Sequence, residues 1–151
     1  MATDNPVTES GSPRVVRSPQ ETAAVAAEWL PRLLQAGVVS LEGPLGAGKT
    51  HFVKAVASAL GIPEDVTSPT FTLLQSYGSG ERRLHHSDWY RLESAAEALA
   101  LGLEEYEGEG LMLIEWGDKF PEILPPGTLR ISIAPQPDGS RLISLPAQLS
   151  R

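Results

Sequence analysis

The segment "GPLGAGKT" at residues 43–50 constrains the fold of this chain more than any other part of its sequence. It fits the pattern G-x-x-x-x-G-K-[ST] without a gap, and this pattern requires a strand before the loop and a helix after it. The apolar run "VVSL" at 38–41 precedes the loop, and "KTHFVKAVASAL" at 49–60 follows with one apolar helical face. The sequence therefore predicts an α/β protein with a phosphate-binding loop (P-loop).

Each residue type in this loop has its own physical task. Glycines let the backbone curl so that its N–H groups and the N-terminus of the next helix point at phosphate oxygens. Lys49 is expected to neutralise the outer phosphates, and the hydroxyl of Thr50 is expected to bind Mg²⁺. Pro44 lacks an N–H, but it lies in the first half of the loop, where no donor is needed. The nucleotide-contacting residues predicted here are Gly43, Gly46, Ala47, Gly48, Lys49, Thr50 and His51.

Three further residues are candidates for the rest of a nucleotide-hydrolysing site. Glu115 ends the apolar run "LMLIE", a typical position for a carboxylate that orients a metal ion. Thr70 and Asp88 follow the P-loop in the same order as the switch threonine and the metal-side aspartate of small GTPases. Strand alternation places His86 on the same side as Asp88, so we expect His86 to orient a neighbour through a hydrogen bond.

The remaining sequence predicts a mixed sheet. "SPQE" at 18–21 is a capping signal for a helix that ends near Gln35, with Pro31 expected to interrupt it. Two hairpins are predicted at 71–87 and 129–145, a helix at 94–102 and a buried strand at 111–115. The expected fold is a three-layer P-loop α/β fold of about six strands and three helices, with a parallel core and antiparallel hairpins. Residues 1–13 are expected to be a disordered tail, and residues 14–151 a single domain.

Composition narrows the function classes. The net charge of −7 has the wrong sign for a protein that holds nucleic acid through its own cations, so we expect contact with RNA to be indirect. The chain has no cysteine, no signal-peptide pattern and no apolar run of about 18 residues, which favours the cytoplasm and no membrane association. His85 and His86 point to opposite faces of a strand and lack a third partner at metal spacing, so no structural zinc is expected.

Five segments together resemble the TsaE (YjeE) family of bacterial ATPases over about residues 18–133. In chain order they are "GPLGAGKT", "TSPTFTLLQSY", "HHSDWYRL", "ALGLEEY" and "LIEW". The resemblance implies ATP and Mg²⁺ as cofactors and a role in threonylcarbamoylation of the tRNA adenosine beside the anticodon. It also implies TsaD and TsaB proteins as partners, with TsaD as the transferase and this chain as an accessory ATPase.

Carried over by motif, the resemblance assigns the phosphates to residues 43–50 and Mg²⁺ to Thr50 and Glu115. Thr70 and Asp88 then lie in segments that respond to the terminal phosphate. The adenine-binding residues do not follow from the motifs; the start of the first helix, at 18–22, and the C-terminal hairpin are the candidates. The chain departs from the family pattern at Pro44, where family members often have an acid, and at Ser87 and Trp89 around Asp88.

Two other classes of function remain open at this point. A small-molecule kinase would share the P-loop, but such enzymes usually have an acceptor pocket and an arginine-rich lid, which need about 60 further residues. A nucleotide-binding module without hydrolysis would also share it.

Overall fold

The fold was established from a computed structural model that describes residues 13–63, 65–67, 73–106 and 108–148. It contains one seven-stranded sheet and three α-helices. The strands are β1 (Arg14–Val16), β2 (Val38–Glu42), β3 (Leu74–Tyr77), β4 (Leu84–Asp88), β5 (Leu111–Glu115), β6 (Leu129–Pro135) and β7 (Arg141–Gln148). The helices are α1 (Pro19–Ala36), α2 (Lys49–Ala59) and α3 (Ala95–Leu99), and four single 3₁₀ turns lie at Gly80–Arg82, Leu103–Tyr106, Gly117–Lys119 and Pro121–Ile123.

The sheet has the spatial order β1-β7-β6-β2-β5-β4-β3. Its centre is parallel, because β2 pairs in parallel with both β5 and β6, and β5 pairs in parallel with β4. Both hairpins are antiparallel, β3 with β4 and β6 with β7. The prediction of a mixed sheet with a parallel core and antiparallel hairpins is confirmed.

Strand β1 was not predicted from the sequence. It contains only three residues and pairs antiparallel with β7 at the edge of the sheet, with Arg14 opposite Ile143. A strand this short shows no usable alternation, since period 2 needs at least four residues to be recognised. The predicted tail at 1–13 lies outside the described residues apart from Pro13.

Helix α1 begins as its capping signal predicts. The Ser18 hydroxyl accepts a hydrogen bond from Glu21 N at 3.2 Å, and Pro19 occupies the first turn. The Glu21 carboxylate accepts from Arg17 N at 2.7 Å, one residue before the cap. Pro31 lies inside the helix at an exposed position, and the helix continues through it to Ala36, one residue beyond the predicted end near Gln35.

The helical spacing of the apolar residues predicts one buried face for α1, made of Val25, Ala26, Trp29, Leu30, Leu33 and Leu34, and the structure differs from this prediction at Leu34. Val25, Ala26, Trp29 and Leu33 are buried as predicted, but Leu34 is 42% exposed. An apolar stripe on a helix drifts by about 20° per heptad, so a residue adjacent to the stripe turns toward solvent near the helix end.

Helix α3 is shorter than predicted. It starts at the Ser94 cap, with Glu97 completing a capping box, but it contains only five residues. Beyond Leu99 the chain tightens into i→i+3 hydrogen bonds, with Leu101 N donating to Ala98 O at 3.1 Å. Gly102 then takes a positive φ of 69°, which ends the segment.

Two hydrophobic clusters cover the two faces of the sheet. On β2 and β5 the buried residues alternate, so Val39, Leu41 and Leu113 pack with α1 and α2, whereas Met112 and Ile114 pack toward α3 and the 3₁₀ turns. The sheet is therefore the middle of three layers. Within the described part of the chain, no helix combines the length and the hydropathy needed to cross a membrane.

Gly110 directly precedes β5 and packs closely against the backbone of Arg83, and substitutions test this close contact. Its φ is 105°, and an added Cβ would lie 2.3 Å from Arg83 O, the acceptor of Leu111 N. Gly110→Ala is expected to lower the free energy of unfolding by about 1–3 kcal/mol more than Gly108→Ala, because backbone crowding adds to the strain. Gly108 has a similar φ of 84° but no atom within 4 Å of its added Cβ. Equal decreases in the free energy of unfolding of the two variants, measured by urea unfolding, would contradict the predicted crowding at Gly110.

Candidate functional site

The P-loop connects the carboxyl end of β2 to the N-terminus of α2, as predicted. Its conformation depends on glycine at Gly48, where φ is 102° and an added Cβ would lie 2.8 Å from Arg141 Nε. Ala47 N donates to Pro44 O at 3.1 Å, which closes the turn in the first half of the loop. Pro44 therefore contributes its carbonyl to the loop.

The loop opens onto a cavity of about 320 Å³ at the carboxyl ends of β2, β4 and β5. Ligands of parallel α/β sheets bind at this end of the strands. The lining residues come from the P-loop and the start of α2, from the ends of β4 and β5 with the residues after them, and from β7: Leu45, Gly46, Ala47, Gly48, Lys49, Thr50, His51, Asp88, Tyr90, Glu115, Trp116 and Arg141.

Lys49 is buried beneath the loop. Its Nζ donates to Gly43 O and to Pro44 O, the latter at 3.2 Å, and lies 3.7 Å from the centroid of the Trp116 ring. Burial lowers the pKa of Lys49, against the opposing influence of Glu115, Asp118 and Asp88. The ammonium is thus held by two carbonyls and an aromatic face inside the cavity.

Glu115 lies at the centre of the polar cluster. Its Oε2 accepts from Thr50 Oγ1 at 2.8 Å and contacts His86 Nε2 at 2.7 Å, and the residue is only 4% exposed. Asp88 is the register partner of Glu115 on β4, so the two carboxylates end neighbouring strands. The expected hydrogen bond of His86 to a neighbouring side chain is present, and its partner is Glu115.

The Asp88 carboxylate faces the same cavity. Its Oδ1 accepts from Tyr90 N at 2.9 Å, which forms a turn directly after β4. Burial raises the pKa of Asp88; the hydrogen bond from Tyr90 N opposes this, and Glu115 reinforces it. Thr50, Asp88 and Glu115 together supply a hydroxyl and two carboxylates, the hard oxygen donors that Mg²⁺ prefers.

The predicted site residues that the structure describes all line one cavity except Gly43, whose carbonyl accepts a hydrogen bond from Lys49 Nζ. The loop residues, Asp88 and Glu115 meet at one cavity, whereas Thr70 lies outside the described residues. His85 points away from the site, as alternation predicted, and contacts Ser76 Oγ at 2.7 Å and Glu109 O at 2.9 Å. Among the residues described, no three His, Asp or Glu side chains form a metal-binding cluster of their own.

Sequence reasoning missed three residues of the cavity. Arg141 opens β7 and extends over Gly48, Tyr90 stacks on Trp116 at 5.0 Å between centroids, and Leu45 is 66% exposed at the loop tip. No local motif could have identified Arg141, because only the β6–β7 pairing brings it to the P-loop. The sequence favours a packing role for both tryptophans that follow the candidate acids; Trp89 is buried in the second cluster, whereas Trp116 both packs there and lines the cavity.

A second cavity of about 370 Å³ adjoins the first. It is lined by the start of α1, including Ser18, Pro19 and Thr22, and by Lys54. His51 and Arg141 line both cavities. This second cavity is therefore lined by both candidate adenine sites, the start of the first helix and the C-terminal hairpin.

The fold and this loop define a P-loop α/β protein. The family model described as "Threonylcarbamoyl adenosine biosynthesis protein TsaE" matches residues 16–143. The chain therefore belongs to the TsaE family, whose role is in tRNA threonylcarbamoyladenosine biosynthesis.

Relatives at substantial identity agree with this assignment. The chain is 46% identical over 136 residues to the tRNA threonylcarbamoyladenosine biosynthesis protein TsaE of Treponema pallidum, covering 87% of this chain and 97% of the relative. It is 43% identical over 131 residues to the TsaE protein of Bacillus subtilis, covering 86% and 82%. The crystal structure of Bacillus subtilis YdiB superposes with a TM-score of 0.67 at 36% identity, over 89% of this chain and 83% of that one.

The raised pKa of Asp88 predicts a pH-dependent cost of folding. A raised pKa means that the folded state favours the protonated form of Asp88. The contribution of this group to the free energy of unfolding is therefore fully present below the pKa of Asp88 in the unfolded chain, and it is lost as the pH rises through the pKa in the folded state. Asp88→Asn keeps the acceptor for Tyr90 N and removes the charge. We expect this variant to be more stable than the wild type at neutral pH, with the difference shrinking toward pH of about 4.

Urea unfolding at several pH values measures this difference. The exposed residue Glu122 provides the control, since Glu122→Gln is expected to change stability by no more than about 0.5 kcal/mol. If Asp88→Asn raises the free energy of unfolding by the same amount at every pH, burial of the Asp88 charge is not the cause of the difference.

Proposed function

We propose that this protein is a weak Mg²⁺-dependent ATPase that serves as an accessory subunit to a TsaD–TsaB transferase in tRNA threonylcarbamoylation. The observation that carries the proposal is the meeting of Lys49, Thr50, Asp88 and Glu115 at one cavity. These residues supply a cation for phosphate oxygens and oxygen donors for a metal ion. Family membership supports the pathway.

Phosphate binding is assigned to the P-loop and its two cations. The N–H groups of residues 46–51 and the N-terminus of α2 favour an anion at the loop. Lys49 would exchange its bonds to Gly43 O and Pro44 O for phosphate oxygens, because its flexible side chain lines the cavity into which the loop opens. Arg141, whose Nε is buried without a hydrogen-bond partner among the described residues, supplies a second cation above Gly48.

Magnesium is assigned to Thr50 and Glu115. The ion would neutralise the phosphates and polarise the bond to be broken, which is the chemistry that it supplies in P-loop enzymes. The Thr50 hydroxyl can continue to donate its hydrogen bond to Glu115 Oε2 while a lone pair of the same oxygen binds the metal. Asp88, in a turn after β4, and Thr70 are proposed to respond to the terminal phosphate.

The second cavity is proposed to hold adenine and ribose. It adjoins the P-loop through His51 and Arg141, and its walls are Val16, Pro19, Ala23 and Ala55 together with polar side chains. A flat apolar base with a few polar contacts fits such a lining.

The accessory role rests on family membership and on charge. The net charge of −7 opposes direct binding of tRNA phosphates. The cavity at the P-loop is lined by turns after two strand ends, and a change of nucleotide state there would alter a surface that a larger transferase can read.

Two substitutions separate phosphate binding from metal binding. Lys49→Ala is expected to abolish ATP binding with or without Mg²⁺, because the phosphate cation is lost. Glu115→Ala is expected to retain ATP binding in EDTA while Mg²⁺-dependent turnover falls about 10²-fold or more. Titration calorimetry and phosphate release measure the two effects. Unchanged Mg²⁺-dependent hydrolysis in Glu115→Ala would remove Glu115 from the site.

The partner role has its own test. The isolated protein is expected to hydrolyse ATP slowly, and purified TsaD and TsaB together are expected to raise the rate. Lys49→Ala mixed with both partners is the control for contaminating ATPases. A rate that does not rise would contradict the accessory model. Transfer of phosphate to a metabolite at about 10 per second, a usual enzyme rate, would favour the kinase alternative.

A further inference from the structure

His86 is among the least exposed polar residues that the structure describes. Its side chain has no exposed surface, and Leu84, His86 and Asp88 lie on the side of β4 that faces α2. Its Nε2 lies 2.7 Å from Glu115 Oε2, across the boundary between β4 and β5. Its Nδ1 is buried without a hydrogen-bond partner among the described residues.

This geometry fixes which atom carries the proton. An ionised carboxylate can only accept hydrogen bonds, so Nε2 must be the donor to Glu115. No described group donates to Nδ1 or accepts from it. The Nε2–H tautomer is therefore the neutral form that the site selects.

Both described hydrogen bonds of the Glu115 carboxylate fall on the same oxygen. Thr50 Oγ1 donates to Oε2 from the first turn of α2, and His86 donates to it from β4. Two donors from different elements fix the rotamer of a side chain with three rotatable bonds. Oε1 takes part in neither bond.

We propose that His86 is a positioning residue for the magnesium site. It holds Glu115 in the orientation in which the carboxylate reaches the metal, and it does so without contacting the metal or the nucleotide. Hydrogen-bonded partners of metal-binding carboxylates typically account for about 10–100-fold in metal affinity. This inference rests on the proposed function, because it assumes that Glu115 and Thr50 bind Mg²⁺.

Two substitutions of His86 test the donor directly. Gln places its amide nitrogen near the Nε2 position and can donate to Glu115, whereas Leu fills the space without a donor. His86→Leu is expected to raise the Mg²⁺ concentration for half-maximal effect on ATP affinity by about 10–100-fold. His86→Gln is expected to restore most of this loss.

His85 provides a matched control on the same strand. It is equally buried, but it faces the other side of the sheet and contacts Ser76 and Glu109. His85→Leu is expected to lower stability while the Mg²⁺ concentration for half-maximal effect stays at the wild-type value.

The readout is ATP affinity measured by calorimetry over a Mg²⁺ series, with EDTA as the zero point. Affinity in EDTA is expected to be the same for the wild type and all three variants, since Lys49 and the loop are untouched. An unchanged Mg²⁺ series in His86→Leu, or an equal shift in His85→Leu, would overturn the positioning role. A wild type whose ATP affinity does not respond to Mg²⁺ would instead refute the proposed function.

Discussion

The hydrogen bond from Thr50 to Glu115 joins the first turn of α2 to the carboxyl end of β5. It spans 65 residues of sequence and links the P-loop to the middle of the sheet. Glu115 can accept it because β5 is flanked by parallel neighbours on both sides, so β2, β4 and β5 all end at the same edge. Because of this register, one cavity is lined by the P-loop with its Lys49 and by the acidic residues that end β4 and β5.

Backbone contacts beyond the strands stabilise the same edge. Trp89 N donates to Glu115 O at 3.0 Å, and Trp116 N donates to Leu41 O at 3.1 Å, so the turns after β4 and β5 are bonded to neighbouring strands. Lys119 Nζ then donates to Tyr90 O and Leu92 O at 2.8 and 2.6 Å. A movement of the Asp88 turn would therefore involve the Trp116 turn as well, since Tyr90 also stacks on Trp116.

Local sequence signals predicted the parts of the fold whose cause is local. The capping signal at Ser18, the glycine loop and the apolar run of β5 each depend on neighbouring residues, and all were predicted correctly. Strand β1 and the position of Arg141 depend on pairing with distant strands, which periodicity does not encode. The contact of His86 with Glu115, 29 residues away, likewise required the register of β4 on β5, although alternation had assigned its face.

The charged side chains of the site are paired with one another or with the loop, and this constrains how a nucleotide can bind. Lys49 already donates to two loop carbonyls and faces the Trp116 ring, while Glu115 already accepts from Thr50 and His86. A phosphate would therefore exchange hydrogen bonds at Lys49, and a hydrogen bond to a charged group contributes only about 1.5–3 kcal/mol in net terms. The ring of Trp116 thus contacts both Lys49 of the P-loop and Tyr90 of the turn after β4, so one side chain joins the P-loop to the segment proposed to respond to the terminal phosphate.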